Sequence, residues 1–443
     1  MKTVRMGCGA GYSGDRIDPA VELAAKGSIA YLVFECLAER TIALAQKARL
    51  LDPSAGFDPL LEERLEAVLP LCVANGIRII SNMGAANPRA AAEKACQVAR
   101  RLGYRGLRIS AVTGDDVLAV LKNGKMALVS TEGALPGSDK WISANAYLGA
   151  LPIIEALNQD ADIILTGRVA DPALFLAPLI HEFGWALDDW NMLGQGSVVG
   201  HLLECAGQLT GGYFADPGFK DVPDLAHLGF PIAEVWEDGT AIFTKVEGSG
   251  GVINRATCVE QLLYEIQDPA AYFTPDVIAD FSHVSIEELG PDRVRVCGGE
   301  GRARSSTLKA SIGYHDGYIG EGQISYAAPN ARRRAELARD IILERLAGIG
   351  FSELRTDFIG IDSIHGQQLS RHAPTPYEVR LRVAGRAGSQ RMAALVPREV
   401  EALYTNGPAG GGGVSGSTRE IIAIASALIP RECASHEIHL LES

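Results

Sequence analysis

Short apolar runs alternate with helix-period segments through the first part of the chain. The strand-like runs are Thr3–Met6, Ile29–Phe34, Ile77–Ser81, Gly106–Ser110 and Asp162–Thr166. The intervening segments carry helix formers with apolar residues three and four positions apart, and they are Ala20–Lys26, Leu60–Ala74, Arg89–Leu102 and Tyr147–Leu157. This alternation predicts parallel βα units, with helices covering both faces of the sheet.

Beyond residue 187 the alternation gives way to segments rich in glycine and aromatic residues. Four segments follow: a hairpin-like segment at Val235–Val246, strand-like sequence across Val294–Tyr318, a long helical stretch at Asn330–Leu346 and a glycine-rich tail loop at Asn406–Gly413. We therefore predict an α/β fold with a parallel-sheet domain over residues 1–187. A mixed α+β region over residues 188–443 follows it.

Composition narrows the class of protein. A chain of 443 residues with 47% hydrophobic residues can bury more than one core, which predicts two or three domains. The formal net charge of −13 argues against nucleic-acid binding, which depends on basic surfaces. No apolar stretch is long enough to span a membrane and no secretory leader is visible, so a cytoplasmic protein is expected.

Cysteine spacing excludes two further kinds of site. The eight cysteines are scattered and include no C-x-x-C pair. A zinc ribbon or a disulfide framework is therefore not predicted, and no metal site is expected.

The segment Gly7–Arg16, G-C-G-A-G-Y-S-G-D-R, fills the first predicted βα turn. Its glycines are expected to take positive φ, so that backbone amides face a phosphate or carboxylate. Asp18 as N-cap and Pro19 after it would start a helix whose positive dipole end faces the same ligand. The residues predicted to bind this anion are Gly9, Gly11, Ser13, Gly14, Asp15 and Arg16.

Two other interpretations of this segment stay open. A tight turn alone needs glycine, and Gly9, Gly11 and Gly14 also match the G-x-G-x-x-G pattern of dinucleotide-binding proteins. Glu35, near the end of the second strand, lies close to the position at which dinucleotide-binding proteins have an acidic residue. The charged pair Asp15-Arg16 inside the loop favours a polar substrate over a bare pyrophosphate.

Polar side chains follow each predicted strand. In a parallel sheet these strand ends share one edge, where the loops form the binding crevice. The candidates are Glu35, Arg40, Asn82, Thr166, Arg168 and Asp171. Arginine suits recognition of a carboxylate or phosphate by two parallel hydrogen bonds. A buried ion-pair network that fixes the loops is the alternative, particularly for Glu39 and Asp171.

His201 and Glu204 lie three residues apart on a predicted helix and so share a face. They are candidates for an acid and a base, and a histidine packed in the core is the alternative. The glycine-rich stretch around Gly250 and Gly251 is a further candidate for ligand contact, since glycine permits close backbone approach.

Several motifs in order resemble the acyclic terpene utilisation (AtuA-like) family over nearly the whole chain. They are Gly7–Arg16, Tyr31–Thr41, His201–Cys205, Thr210–Pro217, Glu260–Ile266 and Asn406–Gly413. The resemblance implies catabolism of acids or acyl thioesters. Longer members of the family look as though they carry an additional small C-terminal domain of ferredoxin-like type. The resemblance therefore implies a separate small partner subunit, and an oligomer, for this chain.

These observations predict a hydro-lyase acting on a short carboxylic acid or its coenzyme A thioester, with no tightly bound cofactor. Glu35, Glu204 and His201 would move protons, while Arg16 and Arg168 would hold the anionic group. Two alternatives from other classes remain. One is a noncatalytic acyl-CoA-binding or scaffold subunit, and the other is an NAD(P)-dependent reductase.

Overall fold

A computed structural model describes residues 2–123, 129–130, 133–370, 372, 374 and 376–443. The chain divides into two compact units, Met1–Gly313 with Ile424–Ser443 and Tyr314–Ala423. Within the described ranges, no helix combines the length and the apolar character needed to cross a membrane.

The elements have the following bounds. The strands are β1 (Thr3–Ala10), β2 (Tyr31–Phe34), β3 (Arg78–Ser81), β4 (Arg108–Thr113), β5 (Val129–Ser130), β6 (Trp141–Ala146), β7 (Ile163–Thr166), β8 (Pro231–Trp236), β9 (Ala241–Lys245), β10 (Tyr272–Phe273), β11 (Ile278–Asp280), β12 (Ser285–Gly290), β13 (Arg293–Cys297), β14 (Glu300–Arg302), β15 (Thr307–Ala327), β16 (Glu353–Ile359), β17 (Glu378–Ala387), β18 (Gly412–Pro430) and β19 (Glu437–Glu442). The α-helices are α1 (Asp18–Lys26), α2 (Glu39–Leu51), α3 (Leu61–Asn75), α4 (Pro88–Arg101), α5 (Leu118–Lys122), α6 (Leu151–Asn158), α7 (Ala173–Phe183), α8 (Trp190–Leu203), α9 (Arg255–Leu263), α10 (Ala331–Leu346), α11 (Gly366–Ser370), α12 (Gln390–Ala393) and α13 (Leu395–Asn406).

The first unit is built on a 10-stranded sheet of order β12-β13-β9-β8-β1-β2-β3-β7-β4-β19. The neighbours from β1 through β4 in this order are parallel. The remaining strands extend the sheet on both sides as antiparallel neighbours. The α/β class is thereby confirmed. The parallel sheet is only part of the layout, since antiparallel strands complete it.

Burial explains why the parallel strands are short apolar runs. All four residues of β2 and all four of β7 are buried, as expected for strands covered on both faces. The helices form two rows, α1-α3-α4 and α6-α7-α8. Neighbouring helices within each row pack against each other, and each row contacts the sheet. One hydrophobic core joins the strands to both rows of helices.

The compact units do not divide at the predicted boundary. Residue 187 lies between α7 and α8, inside the first unit. The reason is strand pairing, because β8 lies antiparallel to β1 and carries the later chain into the same sheet. Val235 pairs with Val4 there, and both side chains are buried in the shared core.

The second unit, Tyr314–Ala423, carries its own core under an antiparallel sheet. β17 lies between β16 and β15, and α10 and α13 pack on β17. The predicted glycine-rich tail loop belongs to this unit. Arg334 donates to the carbonyl of Ala409 over 2.8 Å and Arg380 to that of Gly413 over 3.0 Å. These bonds hold the loop against its own unit.

Candidate active site

A cavity of about 1290 Å³ opens at the carboxyl ends of the parallel strands in the first unit. The predicted site residues that line it are Gly11, Ser13, Asp15, Arg16, Glu35, Arg168, Asp171, His201 and Glu204. The residues of an apolar wall are Tyr12, Tyr213, Leu225, Leu228 and Phe230. The cavity thus combines buried titratable groups with apolar surface, as ligand sites commonly do.

The expectation of positive φ in the first glycine segment is wrong. The positive-φ glycines of the structure do not include Gly7, Gly9, Gly11 or Gly14. Close packing is the reason for glycine at two of them. A Cβ at Gly9, inside β1, would lie 2.7 Å from the Phe34 ring, and one at Gly11 would lie 2.6 Å from the carbonyl carbon of Cys205.

The turn after β1 satisfies its own polar groups. The carboxylate of Asp15 accepts hydrogen bonds from the amides of Gly11 and Arg16, each over 2.9 Å. These amides therefore already hold an anion that belongs to the chain. Asp18 as N-cap is also wrong, because Ile17 precedes the helix and Asp18 is its first residue. The guanidinium of Arg16 pairs with Asp18, and its Nε donates over 3.1 Å.

Arg64 holds the other side of this turn. Its side chain is fully buried on α3, and Nη2 donates to the carbonyls of Ser13 and Asp15 over 2.8 and 3.2 Å. Nη1 lies 3.4 Å from the carboxylate of Asp58. The guanidinium of Arg64 therefore fixes the turn by binding the turn's carbonyls. The carboxylate of Asp15 fixes it by accepting hydrogen bonds from the turn's amides.

Glu35 lies directly after β2 and is tied to the end of β3. Its Oε1 accepts hydrogen bonds from Nδ2 of Asn82 over 2.8 Å and from the amide of Leu37 over 2.9 Å. Burial, together with the nearby charge of Asp171, raises the pKa of Glu35 to about 8, against the partial opposition of Arg168. A carboxyl with such a pKa gains and loses protons near neutral pH.

Arg168 is a buried cation at the cavity wall. Its Nη1 donates to the carbonyl of Leu37, and Nη2 lies 3.3 Å from the carboxylate of Asp171. The guanidinium carbon lies 4.1 Å from the centre of the Tyr147 ring, a cation–π contact. Its backbone amide donates to Asp115 over 2.9 Å. The positive charge is therefore fixed in place beside the buried carboxyls.

Glu39, at the start of α2, forms a second ion-pair group. Its Oε1 accepts from the hydroxyl of Tyr147 over 2.6 Å and from Nζ of Lys309 over 2.9 Å. Burial opposes ionisation of this carboxyl, but Tyr147 and the cations together outweigh it and lower the pKa of Glu39 to about 2. Glu39 is thus a permanent anion that holds Lys309, as the ion-pair alternative for this residue expects.

His201 and Glu204 meet at the C-terminal end of α8. Nδ1 of His201 lies 2.9 Å from Oε1 of Glu204, and the second oxygen, Oε2, is buried without a hydrogen bond. The imidazole packs against Tyr272 and Phe281, each 5.5 Å away between ring centres. Burial lowers the pKa of His201 to about 4 and raises that of Glu204 well above its ordinary value. Burial therefore favours the uncharged form of both groups.

The imidazole has one paired and one unpaired nitrogen. Nδ1 is paired with the carboxyl of Glu204, and Nε2 is buried without a hydrogen-bond partner. The carbonyls of Leu262 and Gln261, at the end of α9, favour the charged ring, but burial outweighs them. The neutral imidazole and the Glu204 carboxyl therefore form one buried, hydrogen-bonded pair.

Glu265 lines the cavity from the turn after α9. Its φ of 60° is the left-handed conformation, which costs a non-glycine residue free energy. Its charge also raises the pKa of Glu204, after the larger effects of burial and of Asp171. Glu265, an acid in a strained backbone conformation at the cavity wall, therefore contributes to the raised pKa of Glu204.

Other predicted site residues do not line the cavity. Asn82 is fully buried behind Glu35, and the hydroxyl of Thr166 donates to the carbonyl of Gly167 over 2.9 Å. Arg40 is exposed on α2. The remaining predicted residues outside the lining are Gly9, Gly14, Gly250 and Gly251.

The amides of Gly250 and Gly251 already have backbone partners. They donate to the carbonyls of His227 and Pro223, over 2.9 and 2.8 Å. These glycines support the loop that carries Leu225 and Leu228 to the cavity wall. Their contribution to the site is therefore made through that loop.

Sequence reasoning missed Arg64, Tyr147, Lys309 and Glu265. In the sequence, Arg64 looks like a solvent-exposed residue on a charged helix. Tyr147 and Lys309 lie in different segments of the chain, so no local pattern brings them together. Only Glu265 had a signal, because it falls inside Glu260–Ile266, one of the runs that carry the family resemblance.

Glu35 makes the stability of the protein depend on pH. Between its ordinary pKa of 4.5 and its folded value of about 8, the folded state binds one more proton than the unfolded state. The free energy of unfolding therefore falls as pH rises through this window, by up to about 1.4 kcal/mol per pH unit. We expect E35Q to lose this contribution, so that urea unfolding at a series of pH values gives a shallower slope. An unchanged slope would show that Glu35 is already ionised.

Comparison with known protein families gives a match over nearly the whole chain. The model of the family described as "Acyclic terpene utilisation family protein AtuA" matches residues 4–440. No curated protein and no solved structure matches the chain. Within the described residues, no group of three His, Cys, Asp or Glu side chains is arranged to hold a metal ion.

Proposed function

We propose that this chain, which belongs to the acyclic terpene utilisation family, is a hydro-lyase that adds or removes water beside the carbonyl of a carboxylic acid or its coenzyme A thioester. One observation carries the proposal. Glu35 and Glu204 are both buried, both line one large cavity, and both interact with the same Asp171 and Arg168. Buried acids with shifted pKa values in a cavity are typical of acid–base catalysis.

The two acids suit the two proton transfers of this reaction. In the dehydration direction, the carboxylate form of Glu35 takes the proton from the carbon next to the carbonyl. Glu204, a neutral acid, gives its proton to the departing hydroxyl, which leaves as water, and exchange with solvent then resets both groups. A pKa of about 8 keeps a usable fraction of Glu35 ionised near neutral pH.

Charge develops on the carbonyl oxygen while the proton leaves the adjacent carbon. Arg168 is the fixed positive charge beside both acids, and its guanidinium is held by Leu37, Asp171 and the Tyr147 ring. A cation held in advance in a water-poor site stabilises such charge without reorganisation. Arg168 acts through its field, because Nη1 and Nη2 are taken up by Leu37 and Asp171, while Nε is buried without a hydrogen-bond partner.

Arg16 is suited to hold an anionic part of the substrate at the cavity mouth. Its side chain is 41% exposed, and within the described part of the chain its ion-pair partner is the exposed Asp18. An exposed ion pair of this kind contributes little to stability, so a phosphate or carboxylate can replace Asp18 at low cost. The coenzyme A arm of a thioester would supply that phosphate.

The test is a thermal-shift screen of the purified chain, followed by an activity assay. The panel contains coenzyme A thioesters of saturated and α,β-unsaturated acids, the free acids, and nicotinamide dinucleotides. Binding to the native state raises its melting temperature. We expect stabilisation by the thioesters, and loss of the ultraviolet absorbance of the conjugated thioester as water adds. E66Q, a change on the exposed face of α3, is the matched control.

Two outcomes would overturn the proposal. Stabilisation by nicotinamide dinucleotides alone would favour the reductase, although Asp15 occupies amides that a pyrophosphate would need. Binding of thioesters without turnover, including after addition of a small ferredoxin-like subunit, would favour the noncatalytic subunit. The partner subunit, the oligomer and the cytoplasmic location stay predictions.

A further inference from the structure

Helix α10 of the second unit begins without a side-chain cap. Its N-cap residue, Asn330, has a φ of 64° and its side chain makes no capping hydrogen bond. The first turn contains no acidic residue and instead carries Arg332, Arg333 and Arg334, of which Arg332 pairs with Glu336 over 3.0 Å. Because the N-terminus of a helix carries partial positive charge, cations are unfavourable there. Positive charge is thus concentrated where a helix ordinarily attracts negative charge.

Arg334 has only neutral hydrogen-bond partners among the described residues. Its Nη2 donates to the carbonyls of Ala327 and Pro329, and its Nη1 donates to the carbonyl of Ala409 over 2.8 Å. A guanidinium has five N–H groups, so Nε–H and one Nη1–H are left for another acceptor. The side chain is half-buried, so these groups are within reach of a ligand. Arg334 is therefore a positioned cation without an anion.

The glycine-rich tail loop lies directly against this guanidinium. A Cβ at Gly410 would lie 2.9 Å from Nη1 of Arg334. A Cβ at Gly411 would lie 3.4 Å from the hydroxyl oxygen of Tyr326. In the part of the chain that the structure describes, the amides of Ala409 and Gly410 donate no hydrogen bond. The loop therefore brings unused backbone donors to the arginine and the phenol.

Tyr326 is an independent sign of a ligand. Its side chain is fully buried, and its hydroxyl makes no hydrogen bond. The guanidinium carbon of Arg334 lies 5.9 Å from the centre of the phenol ring. Burial raises the pKa of Tyr326 and Arg334 opposes it, while no acid among the described residues acts on this group. A buried hydroxyl without a partner costs free energy, and an acceptor supplied by a ligand would remove that cost.

We propose that the first turn of α10, the tail loop and Tyr326 form a binding site for a phosphate group, within the second unit. Helix N-termini, arginines and glycine-rich backbone are the groups that bind phosphate in proteins. The free N–H groups of Arg334 and the amides of Ala409 and Gly410 donate to its oxygens. Tyr326 donates once the ligand shifts Gly411, which has no side chain to hold it. This site does not depend on the proposed function.

The test measures binding to the full chain by calorimetry, with inorganic phosphate, glycerol phosphate and acetate as probes. We expect inorganic phosphate to bind at least about tenfold more tightly than acetate, because it offers more charge and more acceptor oxygens. Binding of both phosphate probes would identify the free ion as sufficient, and binding of glycerol phosphate alone would identify a phosphate ester as the ligand. Acetate binding as tight as that of either phosphate probe, or no phosphate binding, would overturn the proposal.

Three variants locate the site. R334Q should weaken phosphate binding at least about tenfold, because it removes the unpaired cation. Y326F should weaken it several-fold without lowering stability in urea, because the hydroxyl makes no hydrogen bond within the protein. R339Q is the matched control: it removes the same charge further along α10, where Arg339 pairs with Asp340 over 2.7 Å. It should bind phosphate as the wild-type chain does.

The variants also separate this site from the cavity of the first unit. R16Q should leave phosphate binding at the second unit in place. Wild-type phosphate affinity in both R334Q and Y326F, or loss of binding in R16Q alone, would overturn the proposal. Y326F keeps the test decisive if R334Q disturbs the tail loop, since the phenol ring remains and only its hydroxyl is removed.

Discussion

E204Q is expected to lower kcat of the thioester hydration by about 10²–10⁴-fold, because it removes the acid that protonates the departing hydroxyl. Glutamine has nearly the same shape, and its amide can keep a hydrogen bond with Nδ1 of His201, which lies 2.9 Å from Oε1 of Glu204. Affinity for the thioester should therefore stay within a few-fold of the wild-type value. Steady-state kinetics with the conjugated thioester, combined with calorimetry, measures both quantities.

The control for this prediction is E66Q, which should keep the wild-type kcat. A loss of affinity that accounts for the whole effect in E204Q would indicate that Glu204 binds the ligand rather than transferring a proton. An unchanged kcat would remove Glu204 from the mechanism.

R168M is expected to lower the free energy of unfolding by about 3–5 kcal/mol, the range observed when one partner of a buried ion pair is removed. The guanidinium has a side-chain exposure of only 3% and it balances Asp171 beside Glu35. Methionine fills a similar volume without the charge, so the change reports on electrostatics more than on packing. Urea unfolding monitored by tryptophan fluorescence measures the loss.

A double variant checks the cause of that loss. R168M combined with D171N removes the carboxylate that the first change leaves unpaired, so part of the lost stability should return. Equal instability of the single and double variants would mean that the carbonyl of Leu37 and the Tyr147 ring account for the role of Arg168. A loss below about 1 kcal/mol in R168M would place the pair among weak, solvated ion pairs.

The central strands could be predicted because their signal is local. The predicted runs Ile29–Phe34 and Asp162–Thr166 contain β2 and β7, whose residues are all buried and, apart from Thr166, apolar. The antiparallel strands could not be placed in the same way. The pairing of β19 with β4 joins segments more than 300 residues apart, and no local pattern encodes that contact.

The site could be predicted in part for the same reason. Glu35 and Arg168 follow buried strands, so the topology alone brings them to one edge. The partners that set their charge come from elsewhere. Lys309 reaches Glu39 across 270 positions of sequence, and Arg64 is a charged residue whose burial depends on tertiary packing. Burial raises the pKa values of Glu35 and Glu204, and burial is a property of the folded chain.

The most direct test of the account is the infrared spectrum of the carboxyl groups at neutral pH. A protonated carboxylic acid has a carbonyl stretch that an ionised carboxylate lacks, so the spectrum reports protonation without any ligand. We expect the wild-type protein to show this band near pH 7, with one component lost in E204Q and another in E35Q. A spectrum in which neither substitution removes any of the band would mean that both groups are ionised, and the proposed acid–base pair would be contradicted.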